Sequence, residues 1–153
     1  RLTQELDARD TPVVLVLFGD HKPWMGNGGS VYEEMGIDFD TSTLAGFRNY
    51  YATPYLIWAN RAAKEVLGAD FTGDGGDFSP CFLMTRLFDA CGWAGPGYMQ
   101  LSRAMRDISP LLHTNGLFLH DGVLTSVLSD TDRSFYRSWL AVQYYREHVA
   151  AYS

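Results

Sequence analysis

Basic clusters, long apolar runs and closely spaced cysteines are all missing from this sequence. The 12 lysines and arginines stand against 18 aspartates and glutamates, a formal charge of −6. They never gather into the stripe that phosphate-backbone binding requires, so nucleic acid is not an expected partner. No stretch of about 18 apolar residues is present, so nothing in it is expected to span a bilayer, and no charged-then-apolar leader precedes a cleavage site. The chain reads as soluble. Cys81 and Cys91 fall in one stretch of helical periodicity, where ten residues of rise separate them by about 15 Å, beyond disulfide reach. They read as buried free thiols. There are no internal repeats and no second domain boundary.

What is present is the composition of a folded protein, 46% apolar, 20% charged and, at 14%, rich in aromatics. A length of 153 residues fits one domain. Arg1 to Asp10 leads within a few residues into a strongly apolar strand, which looks like a cut through a larger fold truncated upstream.

Pro12 to Phe18 is a continuous aliphatic and aromatic run without polar alternation, the pattern of a central strand covered on both faces of a parallel sheet. It stops at Gly19, Asp20 and His21, and the glycine-rich loop that follows, expected to be the most mobile segment, cannot continue a ladder. Ser30, with Glu33 three residues on, reads as a capping box for a helix to Met35, and a second helix is expected over Thr43 to Tyr50. Thr53 to Ala59 is the next strand, reached by a right-handed crossover in a β-α-β unit. Asn60 to Gly68 reads as a short helix or an excursion, and Ala69 to Phe78 as surface loop. Asp70, Asp74 and Asp77 lack the spacing and closing glutamate of a calcium loop. Ser79 and Pro80 signal a helix start, with Phe82, Leu83, Leu87 and Cys91 on its apolar face. Tyr98 to Asp107 is a second amphipathic helix, Gly116 to His120 with Leu124 to Leu128 short strands or an irregular hairpin, and Asp132 to Tyr152 a terminal amphipathic helix that must dock on something.

Asp20 and His21 leave the first strand at its carboxyl end, where ligands bind in open parallel sheets. A carboxylate and an imidazole on adjacent residues can offer an oxygen and a nitrogen to one divalent cation. The plainer alternative is a polar strand exit, with the aspartate accepting turn amides and the histidine in solvent. Lys22 could meet a substrate oxyanion and Trp24 could wall a sugar or glycerol unit, although a solvated lysine and a loop-pinning tryptophan are common roles for such residues. His113, His120 and His148 have no metal spacing. Arg48, Arg61, Arg86 and Arg103 are candidate phosphate contacts for which a surface ion pair is the commoner role.

The string from Val13 to His21, followed by its glycine-rich loop, resembles the strand-to-metal segment of the alkaline phosphatase superfamily. The likeness is to its sulfatase branch, which includes lipoteichoic acid synthases and phosphoglycerol transferases. Thr53 to Asn60, the helix start at Ser79 and Pro80, and Tyr136 to Tyr145 resemble later segments of that family in order. The resemblance implies the carboxy-terminal part of an alkaline phosphatase-like α/β fold, a mostly parallel sheet flanked by helices. It makes Asp20 and His21 ligands of a catalytic cation, manganese or magnesium in phosphoglycerol-transferring members and calcium in many sulfatases. The family's nucleophile and a further acidic ligand lie far upstream and match nothing before Asp20, so the isolated chain is expected to be inactive. The implied substrate is a phosphate or sulfate ester, including glycerophospholipid-derived ones, and the implied setting is the outer face of a bacterial membrane. The short chain after His21, which lacks the long added subdomain of many sulfatases, favours phosphoglycerol transfer in cell-envelope polymer synthesis. The alternative is a non-catalytic, fold-completing or interaction module whose Asp-His pair is vestigial. Either way, a severed sheet edge and its apolar face predict self-association or partial disorder near residues 1 to 30.

Overall fold

In the computed structural model, which describes residues 1–149, the first apolar run forms β1 (Val14–Phe18) and the second forms β2 (Tyr55–Ala59). They pair antiparallel in a two-stranded sheet, from Val14 opposite Ala59 to Phe18 opposite Tyr55. The chain is thus a mixture of helices and strands, but the expected parallel β-α-β crossover is not what joins these two strands. The reason lies in where the connection closes. Gly19 N donates to Pro54 O at 3.0 Å and Thr53 Oγ1 to Gly19 O at 2.7 Å, so the excursion between the strands returns to the point at which it left. A parallel crossover would have to return to the other end of β1. Nor is β1 covered on both faces, since Leu17 is 48% and Phe18 61% exposed. Unbroken apolarity records a tendency to be buried; it does not record which neighbours are there.

Chain contacts gather residues 1–71 into one compact unit and the residues from Thr72 onward into a second. The first unit opens with helix α1 (Leu2–Asp7). After β1, a 3-10 turn at Asn27–Gly29 leads into α2 (Ser30–Glu34). The residue that precedes α2 is Gly29, at φ 83°, and no side chain caps the helix. Ser30 is therefore its first residue, and the expected capping box is absent. Helix α3 (Leu44–Tyr51) starts as its sequence indicates, with Thr43 Oγ1 accepting from Gly46 N at 3.0 Å. Tyr32, Phe39 and Tyr50 fill the space beside it, with ring centroids 4.9 and 5.4 Å apart. Gly46 must be glycine for packing reasons, because a Cβ there would stand 2.1 Å from Asp40 O.

Helix α4 (Arg61–Leu67) is capped by Asn60 and ended by Gly68 at φ 64°. Asn60 does more than cap. It is fully buried, and its Oδ1 accepts from Ala63 N and from Val13 N, both at 2.9 Å. Its Nδ2 donates to Leu6 O at 3.1 Å, Arg9 O at 3.2 Å and Thr11 O at 3.0 Å. One side chain thus joins the end of α1, the turn after it, the entry to β1 and the start of α4.

In the second unit a 3-10 turn (Pro80–Phe82) enters α5 (Leu83–Ala90), followed by α6 (Gly97–Ile108). Strands β3 (Phe118–His120) and β4 (Val123–Thr125) form the hairpin that the sequence left open. Asp121 and Gly122 at its tip both take positive φ, 49° and 77°, as a two-residue turn between right-twisted strands requires. Helix α7 (Asp130–His148) is capped by Ser129; the expected end at Tyr152 lies outside the described residues. Ser79 does not cap its helix as expected. Its Oγ accepts from Leu112 N at 2.8 Å and donates to Leu112 O at 3.1 Å, so it ties two segments together.

The core of this unit is Phe82, Met105 and Trp139. Burying side chains of this size contributes about 1.5–3 kcal/mol each. The indole Nε1 of Trp139 donates to buried Ser102 Oγ at 3.0 Å, so α7 docks on α6 through a bond as well as by area. Cys91 is buried as expected, and burial raises the pKa of its thiol; Cys81 is exposed, against expectation. No helix among the described residues is long and apolar enough to cross a membrane.

Asn60→Ala should lower stability by about 3–5 kcal/mol, because a fully buried side chain with five hydrogen bonds is removed and Val13 N, Ala63 N, Arg9 O and Thr11 O lose that partner together. Asn60→Asp should be no milder, since it presents a carboxylate to three carbonyl oxygens. Urea unfolding gives the magnitude, and accelerated amide exchange at Val13 and Ala63 localises the loss.

Candidate functional site

Asp20 and His21 follow directly on the last rung of the β1–β2 ladder. The Gly19–Thr53 and Gly19–Pro54 bonds fix the backbone at that point, and both side chains then stand in solvent, 81% and 79% exposed. Asp20 Oδ1 accepts from His21 N at 2.8 Å. That bond, followed by the nearby imidazole, holds the Asp20 carboxyl below the usual aspartate range, so the group is an anion throughout the physiological range.

The ring of His21 is oriented by its own backbone. Its Nδ1 lies 3.1 Å from Lys22 O, and because a carbonyl only accepts, this contact places a proton on Nδ1. In the neutral ring Nε2 then carries a lone pair, and it stands 3.5 Å from Asp20 Oδ2. The two acceptors face each other in solvent, at a separation that one cation could bridge and that water can equally fill. A histidine that donates from one nitrogen to a carbonyl and offers the other outward has the arrangement common among metal ligands. The donor set fits one half of a site: among the described residues no group of three or more His, Cys, Asp or Glu is placed to hold an ion.

The other two candidates diverge. Lys22 Nζ donates to Asn49 O, so an oxyanion would have to displace an existing bond to recruit it. Trp24 is not pinned to a core; it is 64% exposed, and its loop is held by Tyr32 OH, which donates to Pro23 O at 2.6 Å. Asp74 accepts from Gly76 N at 2.8 Å, an ordinary turn bond.

A second pair escaped the sequence reading. His120 Nδ1 lies 3.3 Å from Ile108 O, and its Nε2 3.6 Å from Asp121 Oδ2, nearly the arrangement of Asp20 and His21 in reverse order. Also missed was Asp89, which receives Arg103 Nε at 2.6 Å and Arg106 Nη2 at 2.7 Å. Burial opposes its ionisation, but the two guanidiniums outweigh that and keep its carboxyl below the usual range. Arg103 thus makes the ion pair expected of it, and so does Arg61 with Glu65 and Asp10 at 3.1 and 3.2 Å. Arg86 makes none among the described residues.

No protein-family model matches the chain, and searches of curated proteins and of solved structures return no match. The resemblance drawn from Val13 to His21 therefore stands on those residues alone.

A carboxyl-carbon NMR titration should place the Asp20 midpoint below that of an ordinary aspartate. Because the backbone amide of residue 21 is the larger cause, His21→Ala should restore only the lesser part of the depression. A depressed pKa stabilises the fold above the unfolded value and ceases to do so as pH falls through the folded one. A midpoint in the ordinary range for the unaltered chain contradicts the hydrogen-bonded geometry.

Proposed function

We propose that Asp20 and His21 supply two ligands of a divalent cation, manganese, magnesium or calcium, in an enzyme that acts on phosphate or sulfate esters. The specific form proposed is phosphoglycerol transfer in cell-envelope polymer synthesis at the outer face of a bacterial membrane, with the chain as the carboxy-terminal part of an alkaline phosphatase-like fold. The observation that carries this reading is the facing pair of acceptors, Nε2 and Oδ2, 3.5 Å apart at a braced strand end. That is an ordinary spacing for two donors on one cation with bonds of about 2.1–2.4 Å. When bound, such a cation supplies activation of a nucleophile and neutralisation of charge developing on the transferred group. Asp20 brings the anionic oxygen. His21 brings a nitrogen whose proton is held away on Nδ1 by Lys22 O. The remaining ligands and the nucleophile are supplied from outside the residues described, so the isolated chain is expected to be inactive.

The second reading, a non-catalytic fold-completing or interaction module with a vestigial pair, is favoured by one observation. His120 and Asp121 reach nearly the same geometry in a hairpin turn, so adjacency alone produces it.

Calorimetric titration with manganese and with calcium separates the two. The metal reading expects weak, saturable binding that vanishes in the Asp20→Ala, His21→Ala double variant and is untouched by His120→Ala. The module reading expects equal heats from all three proteins.

A further inference from the structure

Within the second unit, Arg86 and Arg106 line an open cleft of about 280 Å³ together with Gly75, Asp77, Phe78 and Pro110. Small-molecule sites usually begin near 300 Å³, so the space suits one small charged group. Arg86 comes from the middle of α5 and Arg106 from the last turn of α6. Twenty residues apart in sequence, they meet because those helices pack side by side around Phe82 and Met105.

The two guanidiniums have unspent donors. Arg106 is mostly buried, 17% exposed, and gives Nη2 to Asp89 at 2.7 Å. Its Nη1 is enclosed and has no hydrogen-bond partner. Asp89 is engaged by Nη2 and by Arg103 Nε rather than by Nη1, and Asp107, largely exposed, approaches Nη2, at 3.9 Å. Arg86, half-buried on the same cleft, has no ion-pair or hydrogen-bond partner among the described residues. A buried guanidinium nitrogen without an acceptor is uncommon and unfavourable, and a missing anion or water is its usual explanation. The planar, forked donors of arginine match the oxygens of a phosphate or a carboxylate two at a time.

We infer that this cleft binds a small oxyanion group, of phosphate or carboxylate type, between Arg86 and Arg106. Arg86 supplies the accessible fork, and a modest shift of Arg106 gives its Nη1 the acceptor it lacks. Asp77 also lines the cleft and is engaged in an interaction of its own; its negative charge keeps the affinity modest and disfavours highly charged ligands. The site is independent of the metal reading, since it involves neither Asp20 nor His21 and needs no cation.

The test is an NMR titration of the whole chain with inorganic phosphate, and separately with acetate, at constant ionic strength and without divalent metal. Saturable shifts are expected at the Nε–H groups of Arg86 and Arg106 and at the amides of 75–78. Arg86→Gln should weaken binding about tenfold or more, the loss expected for a charge-assisted pair of hydrogen bonds. Arg86→Lys, which keeps the charge and loses the fork, should fall between. Arg137→Gln, an exposed arginine of α7, should change nothing. Saturation by phosphate alone assigns a phosphate-type ligand, by acetate alone a carboxylate, and by both a general oxyanion site. Shifts that never saturate, or that are equal in the Arg86 and Arg137 variants, overturn the inference.

Discussion

The first unit depends on the hydrogen bonds of one buried amide. Asn60 presents two lone pairs to Val13 N and Ala63 N, and its NH2 group meets the carbonyls of Leu6, Arg9 and Thr11. Arg9 and Thr11, between α1 and β1, have no helix or ladder of their own in which to spend their carbonyls, while Leu6 O, at the end of α1, is shared with Arg9 N at 3.2 Å; backbone groups drawn away from water must find partners somewhere. Asn60 provides them while closing the first turn of α4. Its main chain also continues the sheet, with Asn60 N donating to Val13 O at 3.0 Å. The register of β1 against β2 is therefore set at one end by Asn60 and at the other by Thr53 and Gly19. Asp20 and His21 inherit their position from both.

The second unit is organised differently. Its centre is a set of large side chains, Phe82, Met105 and Trp139, and the polar groups drawn into it are each given a specific partner. Trp139 has Ser102, and Ser109 Oγ both donates to Leu111 O at 2.6 Å and accepts from Leu119 N at 3.1 Å. Asp89 has two arginines. The exception is Arg106 Nη1, so the incomplete satisfaction falls on a residue that lines the cleft rather than in the apolar core.

Several elements were legible in the sequence because their signals are local. Thr43 caps α3, Gly68 ends α4, and the spacing of Phe135, Trp139 and Val142 announces α7. What the sequence did not show was anything that depends on a distant partner. Strand direction was one case, since the run from Val14 to Phe18 reads the same whether its neighbour runs parallel or antiparallel, and only the Gly19–Thr53 closure decides. Ser79 looked like a cap and instead holds Leu112, thirty-three residues away. Asn60 was readable as a helix start, but its three carbonyl partners were not. Asp20 and His21 were found by adjacency; the meeting of Arg86 and Arg106 across two helices has no counterpart in spacing.

The two Asp-His pairs show what adjacency is worth. In each, an imidazole Nδ1 rests on a nearby carbonyl and Nε2 turns toward a neighbouring carboxylate, at 3.5 Å in one and 3.6 Å in the other. The local geometry is thus a routine outcome for such neighbours and cannot by itself distinguish a metal ligand set from a polar surface. Surroundings make the difference. Asp121 sits in a tight hairpin turn at φ 49°, where its backbone is dictated by the reversal of the chain. Asp20 follows a strand end braced from two sides, which holds both donors at a fixed point from which further ligands can be met. Two solvent-exposed donors retain a divalent cation only weakly, because water competes for every remaining position. Any function at Asp20 and His21 must therefore be completed by groups brought to that strand end from elsewhere.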